Sequence, residues 1–188
     1  VHKPPPSNTL VPEVLLAKPG FMLNPNLAWA LRINELLYNP RYQRYIAALT
    51  VDRIRAGHKV LIIADRLDFL KNVKEILGET CMLVTSETPL QDREQCREKL
   101  HSGRITCIAG SRQIFSEGVS YNELSSVILA SPIAGEALLE QVIGRVMRRA
   151  EGKTSCEVVD IVLAGTSDRK QNNIRKGLYV SKGWPIRD

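Results

Sequence analysis

Residues 141–155, QVIGRVMRRAEGKTS, contain two patterns that could bind phosphate. One is Gly152-Lys153-Thr154, which has the composition of the end of a Walker A loop, G-x-x-x-x-G-K-[ST], whose backbone N–H groups wrap a nucleotide's phosphates. That loop also needs a glycine five residues before Gly152, where Met147 stands, and no other Gly-Lys-Ser/Thr occurs in the chain. We therefore interpret Gly152 as a turn residue at the end of a helix, ahead of a strand at residues 156–163.

The other pattern is a set of arginines at helical spacing. Gln141, Arg145 and Arg148 are separated by four and three residues, so a helix over residues 135–149 would place them on one face, with Gly144 beside them. Two arginines one turn apart suit bidentate contact with phosphate oxygens. The alternative is a basic face that only meets solvent. The apolar side chains expected to be buried are Leu138, Leu139, Val142, Ile143 and Val146.

The elements that must position these residues follow from a regular alternation along the chain. Short apolar, β-branched runs predict strands at residues 59–64, 81–84, 105–109, 126–130 and 156–163. Helical periodicity predicts helices at residues 27–37, 41–56, 66–77, 88–101 and 135–149, with a short helical turn at 113–115. Thr88-Pro89-Leu90-Gln91 predicts a capping box with proline at the first helical position. This order indicates an α/β fold, a parallel β-sheet with helices on both faces.

The two ends of the chain differ in composition from the middle. Five of the ten prolines fall within residues 1–20, which predicts an extended, proline-rich lead-in over residues 1–26. Residues 27–165 form the predicted folded domain, and residues 166–188 a basic extension with a helix at 168–176. Because the chain begins with Val1 rather than methionine, we expect it to be a piece of a longer protein.

Bulk properties are those of a globular domain. The 188 residues are 44% hydrophobic and 24% charged, without a membrane-spanning run or a signal peptide, so no membrane partner is expected. The net charge of +6 mildly favours a polyanionic partner. The four cysteines have no C-x-x-C spacing, which argues against a metal site and predicts buried, reduced thiols and a cytoplasmic location.

Ligands of open parallel sheets bind beyond the carboxyl ends of the strands. The loops after four of the predicted strands read ADR, VTSETP, AGSRQIFSEGVS and ASPIAGE, and they are rich in hydroxyl groups and small residues. The third of these loops concentrates Ser111, Arg112, Glu117, Gly118 and Ser120. This edge of the sheet is therefore the predicted ligand-binding edge.

Several segments together resemble the superfamily 2 helicases. The pattern Gln141-x-x-Gly144-Arg145-x-x-Arg148 resembles motif VI of that family, residues 111–124 resemble motif V, and residues 59–70 resemble motif IV. The intervening residues 85–111 resemble the family's connecting element. The resemblance covers residues 38–163 with all elements in the family's order. It is greatest to the branch that remodels DNA, with phage-type and restriction-type relatives.

The resemblance implies a RecA-like fold, the second of two ATPase lobes in a DNA helicase or translocase. ATP and Mg²⁺ would be held mainly by the N-terminal RecA-like lobe of the same protein. By this resemblance Arg145 and Arg148 would act as arginine fingers on the ATP phosphates, and Gln141 would position them or the attacking water. Further nucleotide-side residues implied by the resemblance are Glu117, Gly118 and Gly144.

The same resemblance implies a nucleic acid partner, DNA rather than RNA, bound through its phosphate backbone. The residues implied in that contact are Arg66, Ser86, Ser111 and Arg112. A different class of function stays open: a non-enzymatic nucleic-acid-binding or docking module that keeps the helicase-like fold. A transferase on a doubly wound sheet would need a glycine-rich first turn, and ADRLDF does not supply one.

Overall fold

A computed structural model of the chain describes residues 9–115, 120–133, 135–165 and 168–188, without the side chains of residues 113 and 115. Glu117 and Gly118, two predicted nucleotide-side residues, therefore lie outside the described residues. The described strands are β1 (Glu13–Ala17), β2 (Val60–Ile63), β3 (Cys81–Val84), β4 (Cys107–Gly110), β5 (Ser126–Leu129), β6 (Glu157–Ile161) and β7 (Ile186–Arg187). They form one sheet in the order β3-β4-β2-β5-β6-β1-β7, and each neighbouring pair is parallel.

Helices cover both faces of this sheet. The helices are α1 (Trp29–Leu37), α2 (Pro40–Arg55), α3 (Leu67–Leu77), α4 (Leu90–Ser102), α5 (Glu136–Val146) and α6 (Arg169–Lys182), with 3₁₀ turns at Gly78–Thr80 and Arg112–Phe115. Side chains alternate along β2, so Leu61 and Ile63 join the core under α4, α5 and α6, while Val60 and Ile62 join the core under α1, α2 and α3. The predicted α/β fold with a parallel sheet and helices on both faces is confirmed.

The predicted lead-in is part of the sheet, which corrects the boundary at residue 26. β1 inserts between β6 and β7 and pairs with β6 from Glu13↔Glu157 to Ala17↔Ile161. Prolines at positions 12 and 19 flank this strand rather than interrupt it, so they do not remove a ladder hydrogen bond from its interior. Val14 is fully buried as a result.

The basic extension is also integrated, and its helix runs longer than predicted, to Lys182. Arg175 is 2% exposed and donates from Nε and Nη2 to Asp160 of β6, at 2.9 and 3.1 Å. Tyr179 donates its hydroxyl to the same carboxylate at 2.6 Å. A buried ion pair with these additional hydrogen bonds fixes α6 to the sheet, so the described part of residues 166–188 belongs to the domain.

Two helix ends differ from the predictions. α4 begins at Leu90, and Pro89 before it is extended; the Thr88 hydroxyl accepts from Thr85 N at 2.9 Å instead of capping the helix. α5 ends at Val146, three residues before the predicted end. Among the described helices, none combines the length and the apolar character needed to cross a membrane. All four cysteines are buried and free, as predicted.

Candidate functional site

Helix α5 presents the predicted glutamine and glycine on its outer side. Leu139, Val142, Ile143 and Val146 are buried in the core, as the apolar stripe predicts, whereas Leu138 is only partly buried. Gln141 is exposed. A Cβ added at Gly144 would meet nothing within 4 Å. No packing among the described residues therefore requires glycine at position 144, and these residues leave the surface above it open.

Arg148 does not lie on the helix, which corrects the prediction that one helical face carries all three residues. α5 ends at Val146 with Met147 as its C-terminal cap, and Arg148 forms an isolated antiparallel bridge with Thr9. Leu10 N donates to Met147 O at 2.7 Å beside that bridge. The Arg148 guanidinium donates from Nη1 to Ser120 Oγ at 3.1 Å. The arginine is thus held by an extended segment and by a side chain from another loop.

The structure nevertheless brings Arg145 and Arg148 together. Partial burial lowers the pKa of Arg145, and the positive charge of Arg148 lowers it further. This pair, next to the open surface at Gly144, is an arrangement suited to a phosphate group.

The lysine of the Gly152-Lys153 turn donates its hydrogen bonds to backbone carbonyl groups. Gly152 has a φ of 77°, the left-handed conformation that favours glycine. The Lys153 ammonium donates to the carbonyl oxygens of Asn122 at 3.0 Å, Leu124 at 2.7 Å, and Arg148. Burial lowers the pKa of Lys153 to about 8, against smaller opposing effects of Cys156 and Glu123. The turn at Gly152 was predicted, but it follows the end of α5 by several residues, and the role of Lys153 was not.

The loops at the carboxyl ends of the strands hold the predicted nucleic-acid residues. Arg112 Nη2 forms an ion pair with Asp65 Oδ1 at 2.7 Å, which joins the loop after β4 to the loop after β2. Arg66 donates from Nε to Asn34 Oδ1 of α1 at 2.8 Å. The Ser111 hydroxyl is buried without a hydrogen-bond partner among the residues that the structure describes. Arg66, Ser111 and Arg112 therefore occupy adjoining loops, as predicted.

The loop after β3 contains Ser86, which is exposed. Arg93 is only 3% exposed and donates hydrogen bonds to three backbone carbonyl groups of this loop. Its Nε donates to Thr88 O at 2.9 Å, and its Nη2 donates to Thr85 O and Ser86 O at 3.2 and 3.1 Å. Arg93 lies within residues 85–111, the segment that resembles the family's connecting element, and no role was predicted for it. Its contacts show that it shapes the loop on which Ser86 lies.

The predicted site residues form two groups. The carboxyl-edge group consists of Arg66, Ser86, Ser111 and Arg112. The arginine group consists of Gln141, Gly144, Arg145 and Arg148. α5 leads from the end of β5 to the start of β6, so it runs antiparallel to the strands. The Lys153 ammonium donates to Arg148 O and to Leu124 O, and Leu124 lies just before β5 begins. Arg148 therefore lies toward the edge of the sheet where the strands begin. The structure thus separates the predicted nucleic-acid contacts from the predicted nucleotide contacts.

Within the described ranges, no three or more His, Cys, Asp and Glu side chains are grouped as a metal ion would require. Two acidic side chains near these groups have partners within the chain: Asp65 pairs with Arg112 at 2.7 Å, and Glu123 Oε1 lies 3.0 Å from His101 Nδ1. What the arrangement offers chemically is positive charge and hydroxyl groups.

Comparison with known proteins gives the same assignment. The family model described as "Helicase conserved C-terminal domain" matches residues 41–150. The probable helicase D10 of Escherichia phage T5 is 36% identical over 189 residues, which cover 98% of this chain and 42% of that protein. The ATP-dependent DNA helicase uvsW of Enterobacteria phage T4 is 22% identical over 142 residues, 73% of this chain and 28% of that protein. The chain spans less than half the length of both relatives.

Solved structures show the same fold. The crystal structure of T4 UvsW superposes with a TM-score of 0.75 over 93% of this chain and 40% of that chain, at 16% identity. The C-terminal part of the Fun30 ATPase domain superposes with a TM-score of 0.54 over 64% of this chain and 40% of that chain, at 18% identity. The predicted RecA-like fold is therefore confirmed. The chain belongs to the helicase conserved C-terminal domain family, as a phage-type C-terminal lobe of superfamily 2 helicases.

Proposed function

We propose that this chain is the second ATPase lobe of an ATP-dependent DNA helicase or translocase. In this proposal the N-terminal RecA-like lobe of the same protein holds most of ATP and its Mg²⁺, and the arginine group of this lobe completes the site. The observation that carries the proposal is Arg148, whose guanidinium is held by Ser120 Oγ at 3.1 Å and whose positive charge lowers the pKa of the neighbouring Arg145. They lie near the open surface at Gly144, where the other lobe and its nucleotide would approach.

The chemistry asked of the pair is charge stabilisation. Phosphoryl transfer spreads negative charge over the transferred group, and an arginine placed against it contributes roughly 10³–10⁵ in rate in well-studied NTPases. Arg148 is already oriented by its hydrogen bond to Ser120, so little side-chain freedom remains to be lost when phosphate arrives. Gln141, exposed on α5, would position the arginines or the attacking water.

The carboxyl-edge group would contact the DNA backbone. Arg66 is held by Asn34, and Ser86 is exposed on a loop shaped by Arg93. Ser111 has a buried hydroxyl that lacks a partner among the described residues. Cations and hydroxyl groups in adjoining loops suit phosphate contacts, which position a strand without reading its bases. The name of T4 uvsW, a DNA helicase, favours DNA over RNA as the partner.

Substitution of Arg148 by alanine in the two-lobe parent protein tests the proposal. DNA-stimulated ATP turnover should fall by about 10³-fold because the transition-state charge loses its partner, while DNA affinity stays within about twofold. Arg97→Ala is the matched control, since Arg97 is a half-exposed arginine paired with Glu94 of the same helix at 2.8 Å. Turnover within a few-fold of wild type in Arg148→Ala would refute the arginine-finger assignment.

A further inference from the structure

Lys153 uses all of its hydrogen-bonding capacity on backbone. An ammonium group has three N–H donors. Its Nζ lies 3.0 Å from Asn122 O and 2.7 Å from Leu124 O, and it also donates to Arg148 O. No donor of Lys153 remains for a phosphate group, so its contribution to the nucleotide site must be indirect.

The three carbonyl groups come from the two segments that meet at the Ser120–Arg148 hydrogen bond. Asn122 and Leu124 follow Ser120 by two and four residues, on the segment that leads into β5. The third carbonyl is that of Arg148 itself. Lys153 therefore fixes the backbone on both sides of the 3.1 Å contact between Arg148 Nη1 and Ser120 Oγ.

Other contacts at Arg148 constrain fewer parts of this arrangement. The bridge to Thr9 and the bond from Leu10 N to Met147 O hold the extended segment from the amino-terminal side. Neither contact reaches the segment that carries Ser120. Arg148 lies beyond the end of α5, so the helix does not hold it. Of the backbone contacts described above, only those of Lys153 link the Arg148 segment to the segment that carries Ser120.

We propose that Lys153 is a positioning residue for Arg148. By tying the Arg148 backbone to the segment after Ser120, it holds the guanidinium where the phosphate of ATP would meet it. This inference rests on the proposed function of Arg148. It gives the Gly152-Lys153 turn a part in ATP hydrolysis without any contact to the nucleotide.

The test uses Lys153→Met in the two-lobe parent protein, because methionine fills similar space without a donor. The kcat of DNA-stimulated ATP hydrolysis should fall by about 10- to 100-fold, the range expected when a catalytic group is misplaced by about 1 Å. The KM for ATP and the affinity for DNA should stay within about twofold. Lys74→Met is the matched control, because Lys74 is also partly buried and donates to a single carbonyl, that of Gly78 at 3.1 Å. It should turn over ATP at the wild-type rate.

A double-mutant cycle separates positioning from general stabilisation. In an Arg148→Lys background, Lys153→Met should lower kcat by less than about threefold, because the arginine that Lys153 positions is already absent. If the fold-loss in kcat of the double variant equals the product of the two single losses, the inference is overturned. If Lys153→Met does not fold, Lys153→Arg serves in the same cycle, since it keeps the charge but cannot direct three bonds from one nitrogen atom.

The outcomes distinguish this inference from the proposed function. If Arg148→Ala keeps its turnover, the arginine-finger assignment fails and the positioning role falls with it. If Arg148→Ala loses its turnover while a folded Lys153 variant keeps wild-type kcat, the positioning role alone is wrong.

Discussion

At the scale of single residues, Gly144 is a position where the residue that favours helix stability differs from the residue that the proposed function needs. A glycine inside a helix is usually less stable than alanine, and a Cβ at Gly144 would meet nothing within 4 Å of the described chain. Its presence in α5 is therefore not explained by packing among the described residues of this lobe. The open surface above it is where the proposed nucleotide and partner lobe would lie.

Gly144→Ala should therefore leave the fold intact and impair turnover. We expect an unchanged or slightly higher free energy of unfolding, by up to about 1 kcal/mol, measured on this chain by thermal or denaturant unfolding. In the two-lobe parent, ATP turnover should fall at least about tenfold, because the added methyl group narrows the space beside Arg145. Gly177→Ala in α6 is the control, since that helical glycine also has nothing within 4 Å. Equal turnover in the two variants would contradict a close approach at Gly144.

At the scale of elements, a buried ion pair fixes α2 to the start of β6. Arg53 donates from Nε and Nη2 to both oxygens of Glu157, each at 2.7 Å, and Ser126 Oγ donates at 2.8 Å. His58 Nε2 lies 2.9 Å from the same carboxylate. Burial alone would raise the pKa of Glu157, but the hydrogen bonds from His58, Arg53 and Ser126 together lower it to about 2. The charged carboxylate is thus the form that stabilises this junction.

Stability should depend on this carboxylate in acid. Because the pKa falls from 4.5 to about 2 on folding, its contribution is present above pH 4.5 and is lost as pH falls toward 2. Glu157→Gln should lower the free energy of unfolding at pH 7 by about 3 kcal/mol, since Arg53 stays buried without its anion. The variant should also show a weaker loss of stability between pH 4.5 and 2. Glu140→Gln, an exposed partner of Lys182 at 3.7 Å, should change stability by less than about 1 kcal/mol.

At the scale of the whole molecule, the described strands form one sheet, and the domain built on it carries the carboxyl-edge group and the arginine group. The sequence contains no Walker A motif. A lobe that contributes arginines to a nucleotide held elsewhere should not hydrolyse ATP by itself. We expect no turnover above background from this chain, with or without single-stranded or duplex DNA. Turnover that disappears with EDTA and with Arg148→Ala would mean that the chain holds a complete nucleotide site and that the two-lobe proposal is wrong.

The parent protein should bind DNA in a salt-dependent and sequence-independent manner. Contacts to phosphate release counterions, so the logarithm of the binding constant should fall linearly with the logarithm of salt concentration. Arg66→Ala should weaken binding to all sequences alike and reduce that slope by about one, as measured by fluorescence anisotropy. Arg104→Ala, an exposed arginine after α4, should leave the slope unchanged. A strong preference among DNA sequences would argue against contacts made only to the backbone.

The sequence by itself determined the parts of this protein that depend on neighbours along the chain. Apolar runs of strand length, helical periodicity and the order of the motifs predicted the α/β fold, five of the strands and the helicase family. These features are local because one residue type every two or three to four positions is enough to bury one face of an element. The Gln141 to Arg148 pattern was recognised in the same way.

Only the tertiary structure decided what depends on contacts between distant segments. The register between Glu13 and Glu157 places β1 inside the sheet, and no local pattern specifies such a pairing. Arg148 is positioned by Thr9, Ser120 and Lys153 rather than by the helix that its spacing suggested. The sequence does not distinguish a lysine that donates to three carbonyl groups from a surface lysine. The difference lies in burial and hydrogen-bond geometry, which exist only once the chain has folded.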